Sequence, residues 1–329
     1  PKPGPDELLV KVVAAACNPS DYGSWLTART EDCPKAMGIE GCGIVVATGG
    51  SLMTKRVKLG AKVGIILTGK SNGGQGTYSE YVTVSATEGF FPLPDDVPVE
   101  DAASFWINPY TALGILDTAK SCGSKALVHT AGASQLGQMM NKLVRGPESD
   151  GGVGGGYAGM QIINVVRREE QVQLLEALGA PHIVSTHQDN WKETLQSKIK
   201  ELNCTVAFDA VAGDMTGDLL SLMPPKGTVY VYGGLAGKVG NIDPMDLIYK
   251  EKQVKGFIVK QWVEKGGILM TVPRMMSAAH KVNPGLRQGG WSSSQFQDTT
   301  FATVQEDLAK ALEKGVTGLK LRVRIGQVE

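Results

Sequence analysis

HTAGASQLG, residues 129–137, follows the apolar run KALVHT (125–130) and leads into QLGQMMNKLV (135–144), so a glycine-bearing turn joins a strand to a helix. Amides at the start of a helix lack intrahelical partners and sit at the positive end of its dipole, which makes such a turn a cradle for phosphate. A second stretch competes for this role. GGVGGGYAGM (151–160) spells G-x-G-x-x-G through Gly154, Gly156 and Gly159. It runs the other way, leaving the helix and entering the strand-like IINVV (162–166), so its amides would face the wrong end of a parallel sheet. The better literal match is the poorer site, and 146–159 is expected to be a flexible surface insertion.

Spacing supports that choice. The residue that reads the adenosine ribose belongs about 20 positions past the loop, at the end of the second strand. Arg167 lies 30 past Gly137, and removing an insertion of about ten residues restores the distance. In VVRREE (165–170), Arg167 and Arg168 offer guanidinium forks that suit a phosphate dianion, where a ribose diol would call for a carboxylate. NADPH is therefore the expected cofactor. The same residues argue against an S-adenosylmethionine enzyme, which would want an acid there.

Outward from the loop, strands alternate with helical patterns: IINVV with REEQVQLLEALG, HIVST (182–186) with NWKETLQSKIKEL, VAFDAV (206–211) with DLLSLM, then GTVYVYGG (227–234) and VKGFIV (254–259). Apolar strands alternating with amphipathic helices signal a doubly wound parallel sheet. Before DDVPVEDAASF (95–105) the texture differs. Short β-like runs such as LLVKVVAA (8–15), KVGIIL (62–67) and YSEYVTV (78–84) are separated by glycine-rich turns and suggest a mostly β domain. KLRVRI (320–325) returns to alternation and is expected to rejoin it. The expected division is 1–105, 106–262 and a return segment 263–329.

The 329 residues carry 42% apolar and 20% charged side chains, with Lys+Arg and Asp+Glu balanced at 33 each. That balance gives no electrostatic footprint for nucleic acid or an anionic membrane. No apolar run approaches the roughly 18–20 residues of a spanning helix. Five cysteines without a C-x-x-C suit a reducing compartment, cytoplasm or organelle lumen. The chain opens on Pro1 and enters a strand almost at once, so a preceding segment is expected.

PGPDELLVKV (3–12), NPSDY (18–22), GIEGCGIVVATG (38–49), GTYSEYV (76–82), NPYTALG (108–114), HTAGASQLG and YGGLAG (232–237) together resemble the medium-chain dehydrogenase/reductase superfamily, in its zinc-independent quinone oxidoreductase branch. The resemblance implies an α/β protein: a GroES-like, mostly β catalytic domain interrupted by a Rossmann domain, with the active site in the cleft between them and a homodimer or homotetramer as the assembly. A homodimer is expected. It implies cofactor contacts from Asn108 and Thr111, from the loop residues Ala131, Gly132, Ala133, Ser134, Gln135, Leu136 and Gly137, from Arg167 and Arg168, from Val211, and from Tyr232, Gly233, Gly234 and Phe257.

Zinc members of the superfamily hold their metal with Cys, a His of a GHE motif and a third Cys or Glu. Asn18, Ile39 and the Asn108 region stand at those places here, and no metal is expected. Cys17 and Cys42 are read as small buried residues. Without a Lewis acid, hydride delivery suits quinones and α,β-unsaturated carbonyls, a small-molecule substrate class whose conjugation spreads charge onto oxygen. Asn18 and Tyr22 are the candidate donors to that oxygen, and Asp21 is read as fixing their loop.

INPYTA, INVVR, YGGLAG and LIYKEKQVKGFIVKQW (247–262) are also similar to mitochondrial 2-enoyl thioester reductases. Their catalytic tyrosine would fall near Arg29, where this chain has none, so that activity is the second reading. A nucleotide-binding structural or sensor protein, as crystallin members of the family illustrate, is the third. A short-chain dehydrogenase is excluded, because no Tyr is followed four positions later by Lys.

Overall fold

The structure, a computed structural model, describes residues 1–26, 36–67, 75–87, 89–145, 156–314 and 318–326. It divides into two units, Pro1–Asn108 with Val282–Glu329, and Pro109–Lys281.

In the first unit, β1 (Glu7–Ala16) alternates buried and half-buried positions through ELLVK and is wholly buried through VAAA. Its first half pairs antiparallel with β4 (Tyr81–Ser85), and its last residues with β13 (Lys320–Arg324). The other edge of β1 pairs with β2 (Glu40–Thr48), followed by β3 (Lys62–Ile66) and β5 (Phe90–Pro92). β12 (Phe296–Thr299) lies parallel to β13 and completes a seven-stranded sheet among the described residues. Leu8, Val10, Val12, Val45, Val63, Ile65 and Val82 form its core. Helices α1 (Pro19–Leu26) and α10 (Val304–Lys314) accompany it.

In the second unit, β6 (Ala126–Thr130), β7 (Gln161–Val166), β8 (His182–Ser185), β9 (Val206–Asp209), β10 (Thr228–Val231) and β11 (Gln253–Gly256) form one parallel sheet in the order β11-β10-β9-β6-β7-β8. The order reverses between β6 and β9. In open α/β sheets the crevice at that switch point, outside the carboxyl ends of the strands, is where ligands bind. Strand residues Val128, Ile163, Val184, Ala207 and Val229 meet Leu195 and Ile199 of α5 (Trp191–Glu201) and Leu219 and Leu220 of α6 (Asp214–Leu222) in a buried core. Its remaining helices are α2 (Ile107–Ser121), which begins in the first unit, α3 (Gln135–Val144), α4 (Glu169–Ala177), α7 (Pro244–Ile248), α8 (Val259–Glu264) and α9 (Ile268–Gly285).

The return to the first unit comes at Val282 and not after 262 as the sequence suggested. The Arg274 guanidinium on α9 explains the difference. It donates to the carbonyls of Trp262, Val263 and Lys265 at distances of 2.6–2.8 Å, closing the exposed C-terminal end of α8 and tying most of α9 to the second unit.

Candidate active site

β6 ends at Thr130, and Ala131 takes a left-handed conformation (φ 53°) that turns the chain toward α3. Ser134 caps that helix, its Oγ accepting from the Gly137 amide at 3.2 Å. The glycines are obligatory for space. A Cβ on Gly137 would lie 2.0 Å from the Gly132 carbonyl oxygen, and one on Gly132 would lie 2.7 Å from Asn164 Cβ. Asn164 and Asn141 exchange buried amide hydrogen bonds of 2.8 and 3.0 Å beneath the turn, joining α3 to β7. The side chains of Ala133, Gln135 and Leu136 are buried, so the loop presents backbone. The amides of Ala133 and Leu136 take no partner among the described residues. A cradle that side chains would fill, with unpartnered amides at a helix N-terminus, fits a dinucleotide pyrophosphate.

The opposite wall of the switch point is organised by a residue that sequence reasoning missed. Asp209, at the end of β9, is completely buried. Its carboxylate accepts from Thr130 Oγ1 (2.8 Å), Thr216 Oγ1 (2.7 Å) and the amides of Val211 (2.9 Å) and Ala212 (3.2 Å). Ala212, like Ala131, has positive φ, at 61°. The Val211 carbonyl accepts from the Ala236 amide at 2.7 Å, binding the VAFDAVAG and YGGLAG turns together. Gly233 has no room for a side chain, since a Cβ would lie 2.6 Å from the Ala210 carbonyl oxygen, whereas one on Gly234 would meet only the Gly237 carbonyl oxygen, at an ordinary contact of 3.6 Å.

Beyond β10 and β11, Tyr232, Gly233 and Phe257 line an open depression of about 300 Å3 with Val231, Gly256, Ile258 and Gln261. Tyr232 Oη lies 2.6 Å from Nε2 of the fully buried His129, a second residue the sequence did not reveal. On the other side of the switch point the two arginines diverge. Arg168 stands at the N-cap position of α4, and its side chain pairs with Glu170 at 3.1 Å, whereas the exposed Arg167 side chain takes no partner among the described residues. Gln171 Oε1 accepts from both backbone amides and fixes the turn. Asn108 and Thr111 occupy the first turns of α2, with Thr111 buried.

The first unit gathers the other candidates. Asn18 and Asp21 are buried; Asp21 accepts from the amides of Asn18 (2.8 Å) and Ile39 (3.1 Å) and so fixes the loop, while burial pushes its pKa up to about 6. Asn18 Nδ2 donates to Glu40 Oε1 at 2.9 Å, and Asn18 Oδ1 has no partner among the described residues. Glu40, unexposed, also accepts from Ser104 Oγ and the amides of Trp106 and Ile107. The buried ammonium of Lys320 donates to Ser104 Oγ at 3.0 Å and lies 3.8 Å from Glu40. Glu40 and Lys320 are not among the residues the sequence points to: one lies within GIEGCGIVVATG, the other opens the alternating run KLRVRI. Tyr22 packs on Cys17, Leu308 and Leu321, and burial pushes its phenol up to about 12. Cys17 and Cys42 are buried free thiols.

Gly154 and Arg29 lie outside the described residues. Gly156 is exposed with open space around it, but Tyr157 next to it is buried and donates to Asp117 at 2.7 Å. The expected insertion thus ends in an anchor one residue after Gly156. Among the described residues, no three His, Cys, Asp or Glu side chains are grouped to hold a metal, and no helix is long and apolar enough to cross a membrane.

The alcohol dehydrogenase GroES-like domain family matches residues 4–95, and the zinc-binding dehydrogenase family matches residues 157–274. The mitochondrial enoyl-acyl-carrier-protein reductase of Bos taurus is 29% identical over 269 residues, covering 79% of this chain and 66% of its own length, so the chain spans slightly under two thirds of that relative. A Mesorhizobium loti structure assigned as an NADPH:quinone reductase shares 28% identity and a TM-score of 0.81, covering 98% of this chain and 88% of its own. Escherichia coli quinone oxidoreductase, solved with NADPH, has the same fold at a TM-score of 0.77 and 19% identity, covering 98% and 93%.

Proposed function

The chain belongs to the medium-chain dehydrogenase/reductase superfamily of oxidoreductases, and from that premise we propose that it is a zinc-independent, NADPH-dependent reductase of quinones or α,β-unsaturated carbonyls. The observation that carries this reading is the cradle at the switch point, with Arg167 at the end of the second strand. The Ala133 and Leu136 amides would hold pyrophosphate at the start of α3, and Arg167 would take the 2′-phosphate. When bound, the nicotinamide supplies the hydride.

The protein's own contribution is orientation and water exclusion. In the first unit, Asp21 and Glu40 hold Asn18 rigidly within hydrogen bonds of 2.8–2.9 Å. A conjugated acceptor places its developing charge on oxygen, where fixed dipoles suffice. The donor set supports a reaction without zinc, because Ile39 offers no ligand atom and Asn18 no thiolate or imidazole.

The bovine relative favours a second reading, an enoyl thioester as the unsaturated carbonyl. NADPH oxidation assayed with a short quinone, a simple enone and an enoyl thioester separates the two by their kcat/KM values. NADPH binding without turnover of any of them would leave the third reading, a structural or sensor protein. Arg167→Ala is expected to weaken NADPH by about 1.5–3 kcal/mol and to leave NADH nearly unchanged. Equal weakening of both would reject the 2′-phosphate assignment.

Assembly as a homodimer belongs to the same proposal. β11 is an edge strand, and Leu247, Ile248 and Tyr249 beside it are exposed, Tyr249 by 78%. Sedimentation equilibrium tests it. The cytoplasm or an organelle lumen is the compartment that the four described free thiols suit.

A further inference from the structure

We propose that His129 and Tyr232 form a fixed pair in which the imidazole donates to the phenol, so that the phenol presents its own proton to a carbonyl oxygen in the depression beyond β10 and β11. The proposal rests on the dinucleotide reading for its ligand and on donor counting for its geometry.

A neutral imidazole has one N–H and one bare nitrogen. His129 is completely buried, and burial drives its pKa down to about 3, so it is neutral. Its Nε2 lies 2.6 Å from Tyr232 Oη, and its Nδ1 has no partner among the described residues. Were the phenol to donate to Nε2, the imidazole proton would sit on Nδ1, sealed in the core without an acceptor. A buried orphan donor is the rarer and costlier arrangement. With the proton on Nε2, only a bare nitrogen is left unpartnered, and the phenolic hydrogen turns toward the depression that half-buried Tyr232 lines.

The pair is held rigidly. The two rings are stacked 8° from parallel with centroids 5.9 Å apart, and the Tyr232 amide donates to the Asp209 carbonyl at 2.9 Å. Burial also pushes the Tyr232 phenol well above its ordinary range, so it keeps its proton. Val231, Phe257 and Ile258 give the depression apolar walls, and its volume of about 300 Å3 suits one substituted ring. A neutral phenol donor between such walls selects a planar ring bearing a carbonyl. Two sources fit that chemistry: the carboxamide of the cofactor's nicotinamide, and the carbonyl of the substrate. Tyr232 is the contacting group and His129 the positioning residue.

Nitrogen-15 NMR of histidine-labelled protein reads the tautomer directly, and four histidines make the spectrum simple. The signals lost in His129→Gln should show a protonated Nε2 and a bare Nδ1; a protonated Nδ1 overturns the proposal. Tyr232→Phe then identifies the source. If the carboxamide is the acceptor, the NADPH dissociation constant rises about five- to tenfold, while that of adenosine 2′,5′-bisphosphate, which lacks the ring, stays constant. If the substrate carbonyl is the acceptor, NADPH binding is unchanged and kcat/KM for the quinone falls about five- to tenfold. No change in either overturns the proposal. Failure of the unaltered protein to bind either the bisphosphate or NADH would instead overturn the dinucleotide reading, whatever the tautomer.

Discussion

Glu40 in the first unit and Asp209 in the second are both hidden from solvent, and each collects four hydrogen bonds at a strand terminus. They differ in what balances the charge. Glu40 has the buried ammonium of Lys320 3.8 Å away, whereas Asp209 is held by hydroxyls and amides with no cationic partner among the described residues. The first arrangement stores a liability. Removing the carboxylate strands a buried cation, whereas removing the second leaves only neutral dipoles to rearrange.

The largest expected effect follows from that difference. Glu40→Ala should destabilise the protein by about 3–5 kcal/mol in urea unfolding, because Lys320 loses its counter-charge. Glu40→Leu combined with Lys320→Met should recover most of the loss; a double variant as unstable as the single one would show that the cation is not the cause.

Titration sharpens the comparison next. Burial pushes Asp21 of the first unit up to about 6 from the ordinary 3.8, so the folded state holds a proton that the unfolded chain releases. Its stabilising contribution is complete below about pH 4 and lost as pH rises through 6, a swing of about 3 kcal/mol. His129 of the second unit works in the opposite sense, since its pKa is pushed down to about 3 from 6.5 and its contribution is lost as pH falls below 6.5. Stability of Asp21→Asn followed from pH 4 to 7 should lack the Asp21 fall; a profile parallel to that of the unaltered protein would remove Asp21 as its source.

Asp209→Asn should cost less, about 1–3 kcal/mol, since an amide can replace part of the acceptor set. It should still weaken NADPH binding, because the Val211 and Ala212 amides lose their anchor beside the cradle. Intact affinity would mean that Asp209 supports the sheet alone. Smallest of all is Gly156→Val, which meets no neighbour and should shift stability by less than about 0.5 kcal/mol. By contrast, deleting 149–157 as a block would remove buried Tyr157, which makes it a poor test of the insertion.

The second unit was legible because its signals are local. A turn between a strand and a helix, and apolar strands alternating with amphipathic helices, are visible within windows of a few residues. Direction chose HTAGASQLG over the fuller glycine motif, and Gly132 and Gly137 then proved to be sterically required. Asp209 was hidden inside VAFDAV, which reads as an apolar strand; its partner Thr130 is 79 positions away. The Glu40–Lys320 pair is 280 positions apart in sequence and joins residues from two strands of one sheet. Such long-range polar networks leave no periodic trace. The arginines were found as a pair, but only side-chain geometry separates Arg167 from Arg168, which Glu170 engages.

The chain passes between its two units inside helices. α2 crosses at Asn108/Pro109 and α9 at Lys281/Val282. A fragment excised as 109–281 for separate expression would therefore begin after the first residues of α2, leaving behind the Trp106 and Ile107 amides that Glu40 caps. It would also end α9 before its buried Val282. Both cuts expose helix ends that the intact chain keeps satisfied. Chimeras that exchange cofactor units between proteins of this architecture should place their joints outside these helices, upstream of Trp106 and in the turn at Arg287–Gly290.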